Sequence, residues 1–286
     1  MALRSIASLA LLTLLVPACA DPSSDGGSPA PAISHGTAAD DLVLRWGHEG
    51  GFTPPEYQLT NLPAFSLYGD GTIVRPGPQI EIYPGPALPT LEVVQVDEAG
   101  VQAILEAAFA AGLDSVGDLT DMRSVGVADA PETVFTVRAG GVDRTVRVYA
   151  LGEAEGQFPG MPDEEFEARK ALLRLVDDLS SLETWLPEGS VGASAVYDPV
   201  GVRAFVSPYT PQADLPQEAV EWPLDQPLRG AGEDAGAGFR CISVTGDEWT
   251  ALAPAVDQAN QLTPWTSDGR RFSVSFRPLL SDETGC

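Results

Sequence analysis

Two stretches in which apolar and polar residues alternate on either side of a glycine turn constrain the fold more than any other feature. Ala64 to Tyr68 and Thr72 to Arg75 flank Gly69-Asp70-Gly71, while Thr133 to Arg138 and Arg144 to Tyr149 flank Ala139-Gly140-Gly141. Period-two alternation puts one set of side chains on a buried face, and glycine accepts the positive φ that a tight reversal demands. Each stretch reads as a hairpin, and hairpins build antiparallel sheets. Further strands are expected at Asp41 to Trp46, Leu91 to Val96 and Phe239 to Val244, with a closing strand through Phe272, Val274 and Phe276 after Ser267-Asp268-Gly269.

Helical spacing occurs three times. Asp97 is placed to cap a helix that buries Val101, Ile104, Leu105, Ala108 and Leu113 and ends near Gly112. Glu164 to Leu182 follows Pro162, carries acids in its first turn and turns Phe166, Leu172, Leu173, Val176 and Leu179 inward. Thr245-Gly246-Asp247-Glu248 has capping-box spacing ahead of Trp249, Leu252, Ala253 and Val256, and Pro254 is expected to kink this helix or delay its start. The class is α+β, with antiparallel sheets and about three helices.

Pro187, Pro199, Pro208, Pro211, Pro216, Pro223 and Pro227 punctuate the region 187–238, which should be mostly loop with short edge strands such as Gly201 to Val206. The body then divides into an N-terminal α+β module, 41–186, and a C-terminal one, 187–286. Val94 to Ala108 and Ile242 to Val256 each run from a strand through an acidic cap into a helix, and a glycine-turn strand follows each, around Gly141 and Gly269. Two related strand-helix-hairpin modules are one explanation of the pattern; two independent uses of a common motif are the other.

The N-terminus has a different character. Arg4 precedes an apolar stretch from Ile6 to Val16. That stretch is shorter than the roughly 20 residues a membrane-spanning helix needs, so residues 1–18 read as a signal peptide. Leu14-Leu15-Val16-Pro17-Ala18-Cys19 resembles a bacterial lipobox, in which the cysteine is lipidated and becomes the first residue of the mature chain. Residues 19–40 hold almost no large apolar side chain and are expected to be a flexible tether with a reach of roughly 25 Å. The expected location is extracytoplasmic, held to the bacterial cell membrane by the lipid on Cys19: the outer face of the cytoplasmic membrane, or the outer membrane of a cell that has one.

Setting Cys19 aside for lipid leaves Cys241 and Cys286 of the three cysteines, an even pair in an oxidising compartment. A disulfide between them is expected to contribute about 4 kcal/mol through loop entropy. Charge narrows the partners further. With 41 acidic against 16 basic residues the formal charge is −25, which opposes nucleic acid. Lys170 is the single lysine, so polybasic attachment to anionic lipid is excluded as well.

Tyr68-Gly69-Asp70-Gly71-Thr72 within its hairpin, and the ending from Ala259-Asn260-Gln261-Leu262-Thr263-Pro264-Trp265 through Phe276-Arg277-Pro278-Leu279-Leu280 to Cys286, carry a likeness to known sequences. The layout resembles uncharacterised secreted lipoproteins of high-G+C bacteria, over most of the mature chain. The resemblance implies a class and an address and brings no activity with it. Fifteen arginines beside one lysine fit the same coding bias.

Site patterns are scarce. The chain has no G-x-S-x-G elbow, C-x-x-C, P-loop, H-E-x-x-H or EF-hand loop. Gly230-Ala231-Gly232-Glu233-Asp234-Ala235 matches a dinucleotide fingerprint in letters only, because no strand precedes it and no helix follows. Of the two histidines, His35 falls in the tether, and His48 sits beside Glu49 among glycines just past the first strand. His48 and Glu49 are candidates for acid-base work, and paired acids could hydrolyse glycosides if held roughly 5 to 9 Å apart. Acidic clusters such as Asp163-Glu164-Glu165, Asp247-Glu248 and Asp282-Glu283 suit caps and solvated loops, or calcium. Tyr209, Trp222 and Trp265 fall in or beside proline-rich loops, where an exposed ring could stack on a sugar or a partner.

Three functions follow as expectations. The first is a lipid-anchored, non-catalytic binding or scaffolding module with an envelope protein or glycan as partner and no cofactor. The second is an envelope hydrolase using His48 and Glu49. The third is a calcium-stabilised structural module. A pocket uniting His48 with carboxylates favours the hydrolase, and an exposed patch at Trp222 and Trp265 favours binding.

Overall fold

The computed structural model describes residues 31–286 apart from 154 and 155. The signal peptide expected over 1–18 and the lipidation expected at Cys19 lie outside the described residues. In chain order the elements are β1 (Leu42–Gly50), α1 (Pro55–Thr60), β2 (Phe65–Tyr68), β3 (Thr72–Pro76), β4 (Leu91–Gln95), α2 (Glu98–Ala110), β5 (Pro131–Ala139), β6 (Val142–Tyr149) and α3 (Asp163–Ser180). There follow β7 (Ala195–Val196), β8 (Gly201–Pro208), β9 (Val220–Glu221), β10 (Glu233–Gly236), β11 (Phe239–Thr245), α4 (Gly246–Gln258), β12 (Pro264–Ser267) and β13 (Arg270–Pro278). The class is α+β, with four α-helices and 13 strands among the described residues. The helix beyond the three expected is α1, a short one with Pro55 at its start.

Both glycine-turn hairpins form. Gly140 and Gly141 take φ of 61° and 78°, the handedness a two-residue turn needs to match strand twist. In the other hairpin a Cβ on Gly69 would collide with the backbone of Gly36 and Thr37. These strands lie in a sheet of order β6-β5-β1-β2-β3-β4-β7, antiparallel throughout. One face packs α2 and α3 through Leu44, Trp46, Phe65, Ile104, Leu105, Phe135, Leu172 and Leu175. Asp97 caps α2 by accepting from the Gly100 amide at 2.9 Å.

The second sheet has the order β10-β11-β8-β13-β12-β9, antiparallel except for the β9–β12 pair. Its core unites Val202, Val244, Leu252, Val256, Trp265 and Phe276. Both sheets belong to one compact unit, Ile33–Cys286, and β7 joins the first sheet although it follows residue 187.

Three expectations are corrected, and one of the two effects expected of Pro254 is excluded. Gly201 to Val206 is not an edge: β8 is paired on both sides, by β11 and β13, because Pro199 and Pro208 bracket the strand instead of interrupting it. The capping box does not close, since Thr245 is still held opposite Gly201 in the sheet and its side chain caps nothing. Pro254 lies inside α4 without delaying its start. The last part of the expected tether is folded: His35 bridges to Ala139, the Gly140 amide donates to Ser34 O at 2.6 Å, and the Gln102 side chain bonds both the N–H and C=O of Ile33.

The two similar stretches, Val94 to Ala108 and Ile242 to Val256, do form strand-then-helix units, β4-α2 and β11-α4. Their hairpins dock differently. β5, the first strand of its hairpin, pairs with β1, whereas β13, the second strand of its own, pairs with β8.

Candidate functional site

The C-terminal tail is tied down by charge. Arg45 on β1 donates through Nε to Ser66 Oγ at 2.9 Å and through Nη2 to Asp282 Oδ1 at 2.6 Å, and Tyr68 donates to the same carboxylate oxygen at 2.8 Å. One residue on, Glu283 is held bidentately by Arg277 of β13 at 2.6 and 2.9 Å. Arg277 also donates to Asn61 O, and Arg203 of β8 donates to Gly285 O. The disulfide Cys241–Cys286 closes the tail onto β11, with Cα atoms 5.9 Å apart.

Burial alone pushes the Asp282 and Glu283 carboxyls up, but the guanidinium bonds from Arg45 and Arg277 outweigh it and hold both below the usual carboxylate range. Tyr68, buried against this cluster, has its hydroxyl pushed well above the ordinary phenol value. Asp282-Glu283, expected as a solvated pair, is therefore a structural anchor. Sequence reasoning missed Arg45, Arg203 and Arg277; the signal was a lone arginine inside the apolar strands β1 and β8 and one near the end of β13, in a chain poor in base.

These arginines line one end of a cleft of about 800 Å³. It follows β1 from Arg45 past Gly47, His48 and Glu49 to Gly50 and Gly51, with Val134 and Thr136 of β5 beside it and Tyr57, Gln58 and Asn61 along α1 and the turn after it; His48 meets it through its carbonyl, which accepts from Asn61 Nδ2. Gly47 is needed because a Cβ there would press on Pro63 at 3.0 Å. At the far end the Phe52 amide donates to Asp129 O, and the Phe52 ring is 90% exposed.

His48 and Glu49 lie in β1, not past it, paired with Thr133 and Glu132 of β5. Neighbouring strand residues point to opposite faces, and these two do. The imidazole stands edge-on to Trp46 at 5.6 Å, with Nδ1 3.4 Å from Thr133 Oγ1 on the helix-covered side. Glu49 shares the cleft side with Arg45 and is occupied by Arg147 at 2.7 Å, which also meets Glu132 at 3.2 Å. The acid-base pair is not assembled.

The aromatic expectation is also corrected. Trp265 is fully buried, edge-on to Trp222 at 5.7 Å and to Phe276 at 5.4 Å. Trp222 is buried too, with its Nε1 donating to Gln226 O. The proline-rich loop folds over them, carrying β9 onto β12. Tyr209 is half-buried just beyond β8. Among the described residues, no group of three His, Cys, Asp or Glu side chains could hold a metal ion. His35, set aside as tether, is packed against the body with its Nε2 3.3 Å from Glu98.

Comparison with models of known protein families, with curated proteins and with solved structures returned no match.

Proposed function

We propose that this protein is an extracytoplasmic lipoprotein that binds a small ligand in the cleft along β1 and does not transform it. One observation carries the binding reading: a cleft of about 800 Å³, within the size range of ligand pockets, has arginines at one end and a bare aromatic ring at its rim. The opposed directions of His48 and Glu49 favour this over hydrolysis. The signal-like N-terminus, Cys19 and the oxidised Cys241–Cys286 pair support the address.

Two experiments test the reading. Replacing Phe52 with a benzophenone amino acid and irradiating cells should attach a small ligand to the rim; no adduct at Phe52 or at a Tyr57 counterpart overturns ligand binding. Cys19→Ser should move the protein from membrane pellet to supernatant. Continued pelleting after high salt overturns the lipid anchor.

A further inference from the structure

The two ends of the cleft carry opposite charge. At one end Arg203 and Arg277 sit opposite each other on β8 and β13, next to Arg45, so three guanidiniums face the two carboxylates Asp282 and Glu283. Arg277 spends its donors on Glu283 and on Asn61 O and Pro278 O. Arg203 does not: its Nε is bound to Gly285 O, but Glu283 is 3.9 Å from Nη2, beyond hydrogen-bond range. Both Nη groups of Arg203 thus lack a hydrogen bond among the described residues, although the side chain is only 24% exposed. Burial, with Arg277 and Arg45 nearby, draws its pKa below the ordinary guanidinium value. Three guanidiniums against two carboxylates leave one positive charge in excess and the Nη donors of Arg203 unfilled, and a carboxylate fits a guanidinium fork with two parallel bonds.

At the other end Asp129 and Glu153 line the mouth, and neither makes an ion pair among the described residues. Glu49 lies between the ends and is neutralised by Arg147. The ends are separated by the run of β1 from Arg45 to Gly50, about 17 Å at the rise of a strand.

The geometry points to a linear zwitterion as the ligand: a short peptide of about five residues, extended along β1, with its free carboxylate on Arg203 and a cationic group between Asp129 and Glu153. This rests on the cleft being a binding site, and adds the chemical class.

The test is calorimetry on the full chain in detergent with the peptide Lys-Ala-Ala-Ala-Ala. The free acid should bind at least about 10-fold more tightly than its C-terminal amide, because a charged, desolvated hydrogen bond is lost. In Arg203→Gln, with folding checked by an unchanged circular dichroism spectrum, the difference between acid and amide should vanish; Arg203→Lys should restore part of it. In Asp129→Asn with Glu153→Gln the advantage of Lys over norleucine at the first position should vanish. Equal binding of acid and amide by the unaltered protein overturns the assignment, as does acid preference that survives Arg203→Gln. If no peptide binds while the Phe52 photoadduct forms, the peptide class is wrong and the binding reading stands. If neither occurs, both fall.

Discussion

Arg45 donates to Asp282 at 2.6 Å across 237 residues of sequence, joining the first strand to the tail that closes the chain. Both side chains are largely withdrawn from water, at 19% and 15% exposure. Removing one partner leaves the other charge desolvated and alone. Arg45→Met is therefore expected to cost about 2 kcal/mol, more than an exposed pair would. Arg45→Met combined with Asp282→Leu should recover part of the loss in a chemical-denaturation series. A double variant no more stable than Arg45→Met would show that the Asp282 carboxylate left without its partner carries no desolvation penalty.

The same cluster gives stability an acid limit. The folded-state pKa values of Asp282 and Glu283 lie below their ordinary ones, so the unfolded chain binds protons first as pH falls. Their contribution is complete above the ordinary carboxylate range of about 4 and is lost as pH drops through the lower folded values. Melting temperature measured from pH 7 to pH 2 should fall in that window. Asp282→Asn with Glu283→Gln should be less stable at neutral pH and show a flatter decline.

Cys241 and Cys286 close a loop of 45 residues. Replacing both with serine should cost about 4 kcal/mol, most of it through the freedom returned to the unfolded chain. Denaturant midpoints of oxidised protein and the double variant measure it directly.

Residues 33–40 are part of the body. A chain starting at Asp41 loses the bond from the Gly140 amide to Ser34 and the two between Ile33 and the Gln102 side chain. It should be less stable than one starting at Ile33 by about 2 kcal/mol. Equal melting temperatures would return this segment to the role of a tether.

Trp265 lies at the centre of the second core, so Trp265→Ala should cost about 3 to 5 kcal/mol. Peptide affinity of the folded fraction should not change, because the ring lies in that core and does not line the cleft. A loss of binding without a loss of stability would restore this tryptophan to the ligand site.

What could be read from the chain was local. Gly69-Asp70-Gly71 and Gly140-Gly141 announced their hairpins because a turn of that handedness is decided by the few residues in it. Asp97 announced the start of α2 because a cap bonds three residues ahead. Cys241 and Cys286 could be paired by count alone. Each inference needed only neighbours in sequence, or arithmetic.

What could not be read depended on partners far along the chain. Whether His48 and Glu49 act together turned on whether β1 ended before them, and pairing with β5 carried the strand to Gly50 and sent the two side chains to opposite faces. Prolines at both ends of the Gly201–Pro208 stretch suggested an edge, until β11 and β13 claimed its two sides. Trp222 and Trp265 looked exposed because their loops are proline-rich, and only the return of β9 onto β12 covered them. Asp282 and Glu283 were two acids near a chain end until three arginines from β1, β8 and β13 converged on them. A charge takes its meaning from what lies within a few ångströms after folding, and for Asp282 that company comes from Arg45, 237 residues away.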